Sequence, residues 1–438
     1  MSHPRYPAYV QTNVPWLGDI PKQWRAQRLK ILFEIVKTIA KVDGLEVLSV
    51  TQKGIRIKDT ESNEGQLSMD YSKYQIVHPG DFAMNHMDLL TGYVDVSAYY
   101  GVTSPDYRVF RLRDNLNSSR FFLYLLQNCY HNRLFFPFGQ GSSQLGRWRL
   151  PTEAFNEFIF PVPPPEDQNA IAAFLDRETT KIDALVEEQK RLIDLLKEKR
   201  QAVISHAVTK GLNPDASMKD SGIEWLGEVP EHWTRTVMKR LGSVRYGIGE
   251  PPAYQEAGTP LIRATNVHAG RIYSDGLVFV DPSDIRASKI IWLAEGDIIV
   301  VRSGAYTGDS AIIPVELGPA IAGFDMVFRP SGANPQFLQF VLLSFYLKAA
   351  QIDFMKMRAA QPHLNAEELG NCVVLLPPAS EQKAIVEYLE AMTTRLDRLI
   401  DEAAAAVLLL QERRAALISA AVTGKIDVRG LVDVEDAA

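Results

Sequence analysis

A chain of 438 residues is longer than one hydrophobic core usually organises, so about two to four folded units are expected. Its 46% hydrophobic and 23% charged residues exclude disorder as the default, two cysteines exclude a disulfide framework, and a net charge of −6 argues against a simple polyanion binder. The longest apolar run, around Ala403 to Leu410, is far short of the roughly 18 residues of a membrane span, and MSHPRYPAYV lacks the apolar core of a leader, so a cytoplasmic protein is expected.

The first distinctive element is WLGDIPKQW, Trp16 to Trp24, which returns as WLGEVPEHW, Trp225 to Trp233, 209 residues later. Paired tryptophans around Leu-Gly-acid-apolar-Pro do not recur by chance, and an internal duplication is expected. Each copy continues into roughly 150 residues rich in glycine, aromatic and β-branched types, the texture of short strands broken by turns.

In the first copy LSVTQKGIRI, from Leu48, reads as a strand running into a turn, with Lys53 and Arg56 beside the turn, where side chains reach outward. A solvated strand end explains these two cations equally well. HPGDFAMN around Gly80 and YRVFRL around Phe110 have weak echoes in the second copy, and a helix is expected near Ser119 to Asn128. FGQGSSQLGRWR, Phe138 to Arg149, is glycine-rich without the Gly-Lys-Ser/Thr ending of a phosphate-binding loop and reads as a flexible contact loop. Gln140, Gln144, Arg147 and Arg149 crowd there around Trp148, a mixture of bidentate hydrogen bonders and cations suited to base edges and phosphates. Taken alone, the stretch reads better as an ordinary polar loop.

From Gln168 the texture changes to QNAIAAFLDRETTKIDALVEEQKRLIDLLKEKRQAVISHAVT, an uninterrupted helical pattern between Pro163–Pro165 and Gly211. The apolar stripe expected to face inward is Ile171, Leu175, Ile182, Leu185, Leu192, Leu196 and Val203. At 1.5 Å per residue such a helix is a rod of roughly 60 Å, too long for a small core to cover. Glu187 and Lys190 form a chance nuclease-like pair on its polar face, better explained as solvated or partner-facing surface.

The second copy opens with GIGEPPAY at Gly247, which resembles a nucleotide loop or methyltransferase motif only superficially, since Ala253 separates Pro252 from Tyr254. IRATNVHAGRI, from Ile262, matches LSVTQ and offers Arg263, Asn266 and Arg271; Asn pairs with adenine and Arg with guanine in the major groove. AEGDIIVV matches HPGDFAMN and leads to Arg302, DMVFRP matches YRVFRL, and a helix is expected near Asn334 to Lys348. In MRAAQPHLN, an offset of 214 places Arg147 on Gln361 and Arg149 on His363, with Arg358 just upstream. Changed side chains on an equivalent frame are what two readers of different sequences need. A second long helix follows Pro377–Pro378 and stops at Gly424; from Gln382 its first 42 residues match the first helix at 19 positions. Its expected stripe is Ile385, Leu389, Met392, Leu396, Leu399, Ala403, Leu410 and Leu417, and the small residues Ala403 to Ala406 favour close helix approach. Two such rods are expected to cover one another as a coiled coil.

The expected architecture is α+β with a pseudo-two-fold internal repeat. It comprises globular residues 1–162, a first long helix and linker 163–221, globular residues 222–376, and a second long helix and tail 377–438. The two helices are expected to pack as an antiparallel coiled coil. Charge does not single out a binding face, with 18 Lys and Arg against 15 Asp and Glu in 1–160 and 13 against 16 in 222–376. The eight histidines occur singly, without metal-ligand spacing, and neither a nucleophile elbow nor a Walker loop is present. A tandem-repeat scaffold that organises partners and binds no DNA is the rival reading from composition.

The whole pattern resembles the DNA-specificity subunits of type I restriction-modification systems. The likeness rests on the two Trp-framed openings, LSVTQKGI at Leu48, IRATNV at Ile262, GVTSPDYRVFR at Gly101 and AQPHLNAEEL at Ala360. It extends to PP-x-x-EQ-x-AI at Pro377 and long helices ending Ile-Ser-x-Ala-Val-Thr. One departure, Asp167 where the second copy has Glu381, is expected to change little. The resemblance implies a non-catalytic subunit with two target recognition domains, each reading one half of a split, asymmetric site in double-stranded DNA. It further implies helices that set the spacer and dock two methyltransferase subunits, which carry S-adenosylmethionine, with restriction and translocase subunits joining the full complex. No cofactor is expected on the chain itself.

Overall fold

The computed structural model describes residues 4–60, 68, 70–142, 147–356 and 363–431. They form two compact units: Met1–Gln189 with Ala405–Ala438, and Lys190–Ala404. The first long helix, Pro165–Lys210, and the second, Ala379–Val422, each contribute one half to either unit. Pro165 sits in the first turn, where a missing N–H costs nothing, with Glu166 and Asp167 beside it complementing the helix dipole.

In the first unit an antiparallel sheet runs in the order Phe33–Val36, Arg108–Leu112, Phe82–Met84, Val94–Val96. Its inner face carries Phe33, Phe82 and Phe110, whose rings contact one another and those of Phe122 and Phe155 from two helices. The helix Ser119–His131 lies in this core, capped by the Ser118 side chain. The second unit repeats the sheet as Gly242–Tyr246, Met326–Pro330, Ile298–Val300, Ser310–Ile312. The matched segments are equivalent in pairing too: Val47 bridges Val102 in parallel, as Leu261 pairs with Ile321. The helix expected over 334–348 is shorter, Pro335–Leu343. Ser344 takes an extended conformation, and the long helix satisfies the broken turn through Gln201 Nε2 donating to Leu343 O and Phe345 N donating to Ser205 Oγ, each 2.8 Å.

Helix pairing is legible inside each unit. In the first, Ile171, Phe174 and Leu175 share a core with Ile418, Ala421 and Val422, and Arg414 binds Asp183 with both Nε (2.8 Å) and Nη2 (3.1 Å). In the second, Ile204, Ala207 and Val208 share a core with Ile385, Val386 and Leu389, and Arg200 Nε meets Asp397 at 2.8 Å. Numbers fall along one helix as they rise along the other, so the pairing is antiparallel. The expected stripe needs correction: Leu185, Leu192 and Leu399 are exposed, whereas Val186, Ala207 and Thr393 are buried. A strict seven-residue reading drifts off the seam of a helix with 3.6 residues per turn.

The recurring motifs are structural devices. Trp24 and Trp233 are buried, each against the glycine that ends a long helix, Gly424 and Gly211, both with positive φ (+72° and +76°). Gln168 Oε1 accepts from Ser118 N and Gln382 Oε1 from Asn334 N, tying the start of each long helix to the cap of the helix it crosses. The Asp167 departure has a consequence that its conservative character hides. Glu381 accepts from Trp233 Nε1 (3.1 Å) and contacts His232 (2.8 Å), but the shorter Asp167 does not reach as far, and its own Oδ2 and Trp24 Nε1 are buried without a hydrogen-bond partner at ordinary distance among the described residues. Burial raises the Asp167 carboxyl above its ordinary range against the pull of Arg429.

Candidate nucleic-acid interface

The first unit presents two hairpins. Leu48–Thr51 pairs with Gly54–Ile57, burying Leu48, Val50 and Ile55 and leaving Lys53 and Arg56 exposed. The hairpin is clamped next to its turn because Ile55 N donates to Asp95 Oδ2 (2.9 Å), and a Cβ at Gly54, which has φ +94°, would lie 2.7 Å from that oxygen. In the stretch expected as a flexible loop, Gln140–Ser142 pairs with Arg147–Arg149 as a two-stranded ladder, opposing exposed Gln140 to exposed Arg149. Trp148 pins it: its Nε1 donates to Phe136 O (2.8 Å), and Gly139 leaves the room its ring needs. Gln144 lies outside the described residues, and for Arg147 only the strand pairing is defined.

Just beyond that ladder, Leu150 N donates to His86 O (2.9 Å). Burial and the neighbouring Arg108 charge push the His86 imidazole down to about 3, and its Nδ1 has no hydrogen-bond partner among the described residues. Arg108 is itself buried over Phe155 (4.6 Å), donates to Leu150 O (3.1 Å), and is lowered to about 10 by burial.

The second unit repeats this frame with other side chains. Leu364 N donates to Arg302 O (2.8 Å), and Ser303 bridges His363, so Arg302 stands where the first unit has His86, and His363 where it has Arg149. Two of the residues singled out in sequence are thus brought together. The Arg302 guanidinium lies 3.8 Å from the Phe324 ring centroid and 4.8 Å from that of Tyr246, at the edge of a cleft of about 840 Å3. Its walls include Gly247–Pro252, the stretch that looked like a nucleotide loop, together with Arg286 and Lys289. Gly247 is required there, since a Cβ would fall 1.9 Å from Gly323 O.

Other sequence candidates have structural duties. Asn266 is fully buried: its Oδ1 accepts from Arg263 N and its Nδ2 donates to Tyr273 O and Asp275 O, so it closes a loop and faces no groove. Arg263 Nη2 donates to Gly276 O (2.8 Å), with its guanidinium over Tyr254. Arg271, with its side chain 56% exposed, is ion-paired with Asp397 on the second long helix (2.9 Å). Arg358 and Gln361 lie outside the described residues. Sequence reasoning missed the aromatic clamp of Tyr246 and Phe324 and the cations Arg286 and Lys289; the glycine pair at 247 and 249 was the signal available. Among the described residues no group of three or more His, Cys, Asp or Glu is placed to hold a metal ion, and no helix is long and apolar enough to cross a membrane.

Comparison with known proteins agrees with this duplicated layout. The family model described as type I restriction modification DNA specificity domain matches twice, over residues 21–194 and 255–406. The type I restriction enzyme MjaVIII specificity subunit of Methanocaldococcus jannaschii is 25% identical over 286 residues, 63% of this chain and 64% of that protein, so the alignment spans just under two thirds of its length. A second protein of that organism, provisionally named type I restriction enzyme MjaX specificity subunit, is 24% identical over 94% of this chain and 96% of its own length. A chain solved in a study of complex assembly and conformational transition of the type I R-M system superposes with a TM-score of 0.64 at 16% identity, covering 92% of this chain and 98% of the other, which speaks for the fold.

Proposed function

The chain belongs to the type I restriction modification DNA specificity family, and from that premise we propose that each of its two units reads one half of a split, asymmetric site in double-stranded DNA. The observation that carries this reading is the common frame bearing different side chains: His86 and Arg149 in one unit, Arg302 and His363 in the other, each fixed by the same backbone hydrogen bond. Equivalent scaffolds with changed readers give two half-sites of different sequence, and a rigid frame keeps base contacts in register.

The long helices set the unread spacer and dock the partner subunits. Exposed leucines recur at equivalent helix positions, Leu185 and Leu399, Leu195 and Leu409, and such apolar side chains on a solvent face favour a protein partner. Their repetition supports two methyltransferase subunits per chain, which hold S-adenosylmethionine and modify adenine, with a restriction and translocase subunit completing the cytoplasmic assembly. The chain chooses the site and its partners supply the chemistry. Co-expression with its methyltransferase partner in a methylation-free host, followed by genome-wide mapping of modified adenine, is expected to return two short defined sequences around a fixed undefined gap. A stable complex that modifies no such site would favour the DNA-free scaffold.

A further inference from the structure

We propose that Arg302 reads a guanine in the half-site recognised by the second unit, an assignment that rests on the functional reading above and names the base it depends on. Three observations converge on it. The guanidinium packs over two half-exposed rings, Phe324 (42% exposed, 3.8 Å) and Tyr246 (44% exposed, 4.8 Å), which restrain it and enclose its Nε while its two terminal nitrogens are not buried. Neither terminal nitrogen has a hydrogen-bond or ion-pair partner among the described residues; the nearby Asp325 carboxylate accepts instead from the Arg302 main-chain N (3.1 Å). The residue is anchored on both sides, by that bond and by Leu364 N donating to its carbonyl. A fixed, uncommitted guanidinium edge is a pair of parallel N–H donors, and in the major groove guanine offers the matching pair of acceptors, O6 and N7. Clamping before binding also removes the side-chain entropy that a free arginine loses on contact.

The walls of the cleft beside it carry charges of both signs, Arg286 and Lys289 with Glu250 and Asp284. The equivalent position in the first unit holds His86, whose largely enclosed ring offers no comparable fork, so the readout assigned to Arg302 belongs to the second unit.

The test is adenine-methylation mapping with the complete complex of this chain and its methyltransferase partner, comparing wild type with Arg302→Ala, Arg302→Lys and Phe324→Leu. Arg302→Ala is expected to relax one G·C position in one half of the split site, with discrimination there falling roughly 5- to 150-fold, while the other half stays fully specified. The intact half reports that the complex is folded. Arg302→Lys retains charge without the fork and is expected to relax the same position, and Phe324→Leu to relax it more weakly. A split site unchanged in Arg302→Ala overturns this assignment alone, as does uniform weakening at all sites, the signature of a phosphate contact. A wild-type complex that modifies no split site overturns the functional reading and this assignment with it.

Discussion

His86 and Arg302 occupy one position of a common frame, and their surroundings decide what each does. Arg302 is packed over two rings with its terminal nitrogens not buried, whereas His86 is held neutral because burial and Arg108 oppose its protonation. Its folded value of about 3 lies below the ordinary value of 6.5. Above pH 6.5 both folded and unfolded chains carry a neutral ring, and no penalty exists. As pH falls from 6.5 towards 3 only the unfolded chain takes up the proton, so stability is lost by roughly 1.4 kcal/mol per pH unit from this group. His86→Gln is therefore expected to lose less thermal stability than wild type between pH 6.5 and 4. Parallel pH profiles for the two proteins would show that the ring is not the sensor. The same burial explains why the sequence was a poor guide at this scale. Asn266 looked like an adenine reader and is a loop closure, Arg271 looked free and is bound to a helix carboxylate, and both facts depend on partners distant in the chain.

At the scale of elements, the repeated Trp phrase and the glycine that ends each long helix form one joint, made twice with different tolerance. Positive φ at Gly211 and Gly424 costs a side-chain-bearing residue roughly 1–2 kcal/mol in either place. A Cβ at Gly424 would in addition lie 2.4 Å from Pro21 Cδ and 3.1 Å from Trp24 Cζ3, whereas at Gly211 its nearest neighbours are 3.2 Å away or more. Overpacking of that kind adds roughly 1–3 kcal/mol. Gly424→Ala is expected to lower the unfolding midpoint in urea clearly more than Gly211→Ala, and equal shifts would show that backbone conformation alone sets the cost. These joints were visible in the sequence because rare residues at fixed spacing mark them. The helices were equally visible, since 42 residues without a breaker admit one local structure. Which leucines face inward was not, because the seam is set by the partner helix, and Leu185, Leu192 and Leu399 turn outward.

For the whole molecule, charge and its commitments set how DNA is held. The chain carries a net −6, and many of its exposed cations are already paired: Arg28 and Lys30 with Glu157, Arg111 with Asp81, Arg329 with Asp297, Arg271 with Asp397. Each committed cation is one fewer for a phosphate, while a base reader, the role proposed for Arg302, supplies discrimination rather than bulk attraction. Composition alone left a DNA reader and a DNA-free scaffold both open because it counts cations without seeing which are bound. Affinity for DNA falls with salt at a logarithmic slope of about −0.9 per phosphate neutralised. The isolated chain is expected to show a shallow slope, roughly −2 to −4, and its complex with the methyltransferase partner a distinctly steeper one, the added phosphate contacts belonging to the partner. Titrating a labelled duplex carrying the mapped site at several salt concentrations, with and without the partner, measures both slopes. If the isolated chain already shows the slope of the complex, its own cations hold the backbone, and the division of labour in which this chain selects and its partners grip is wrong.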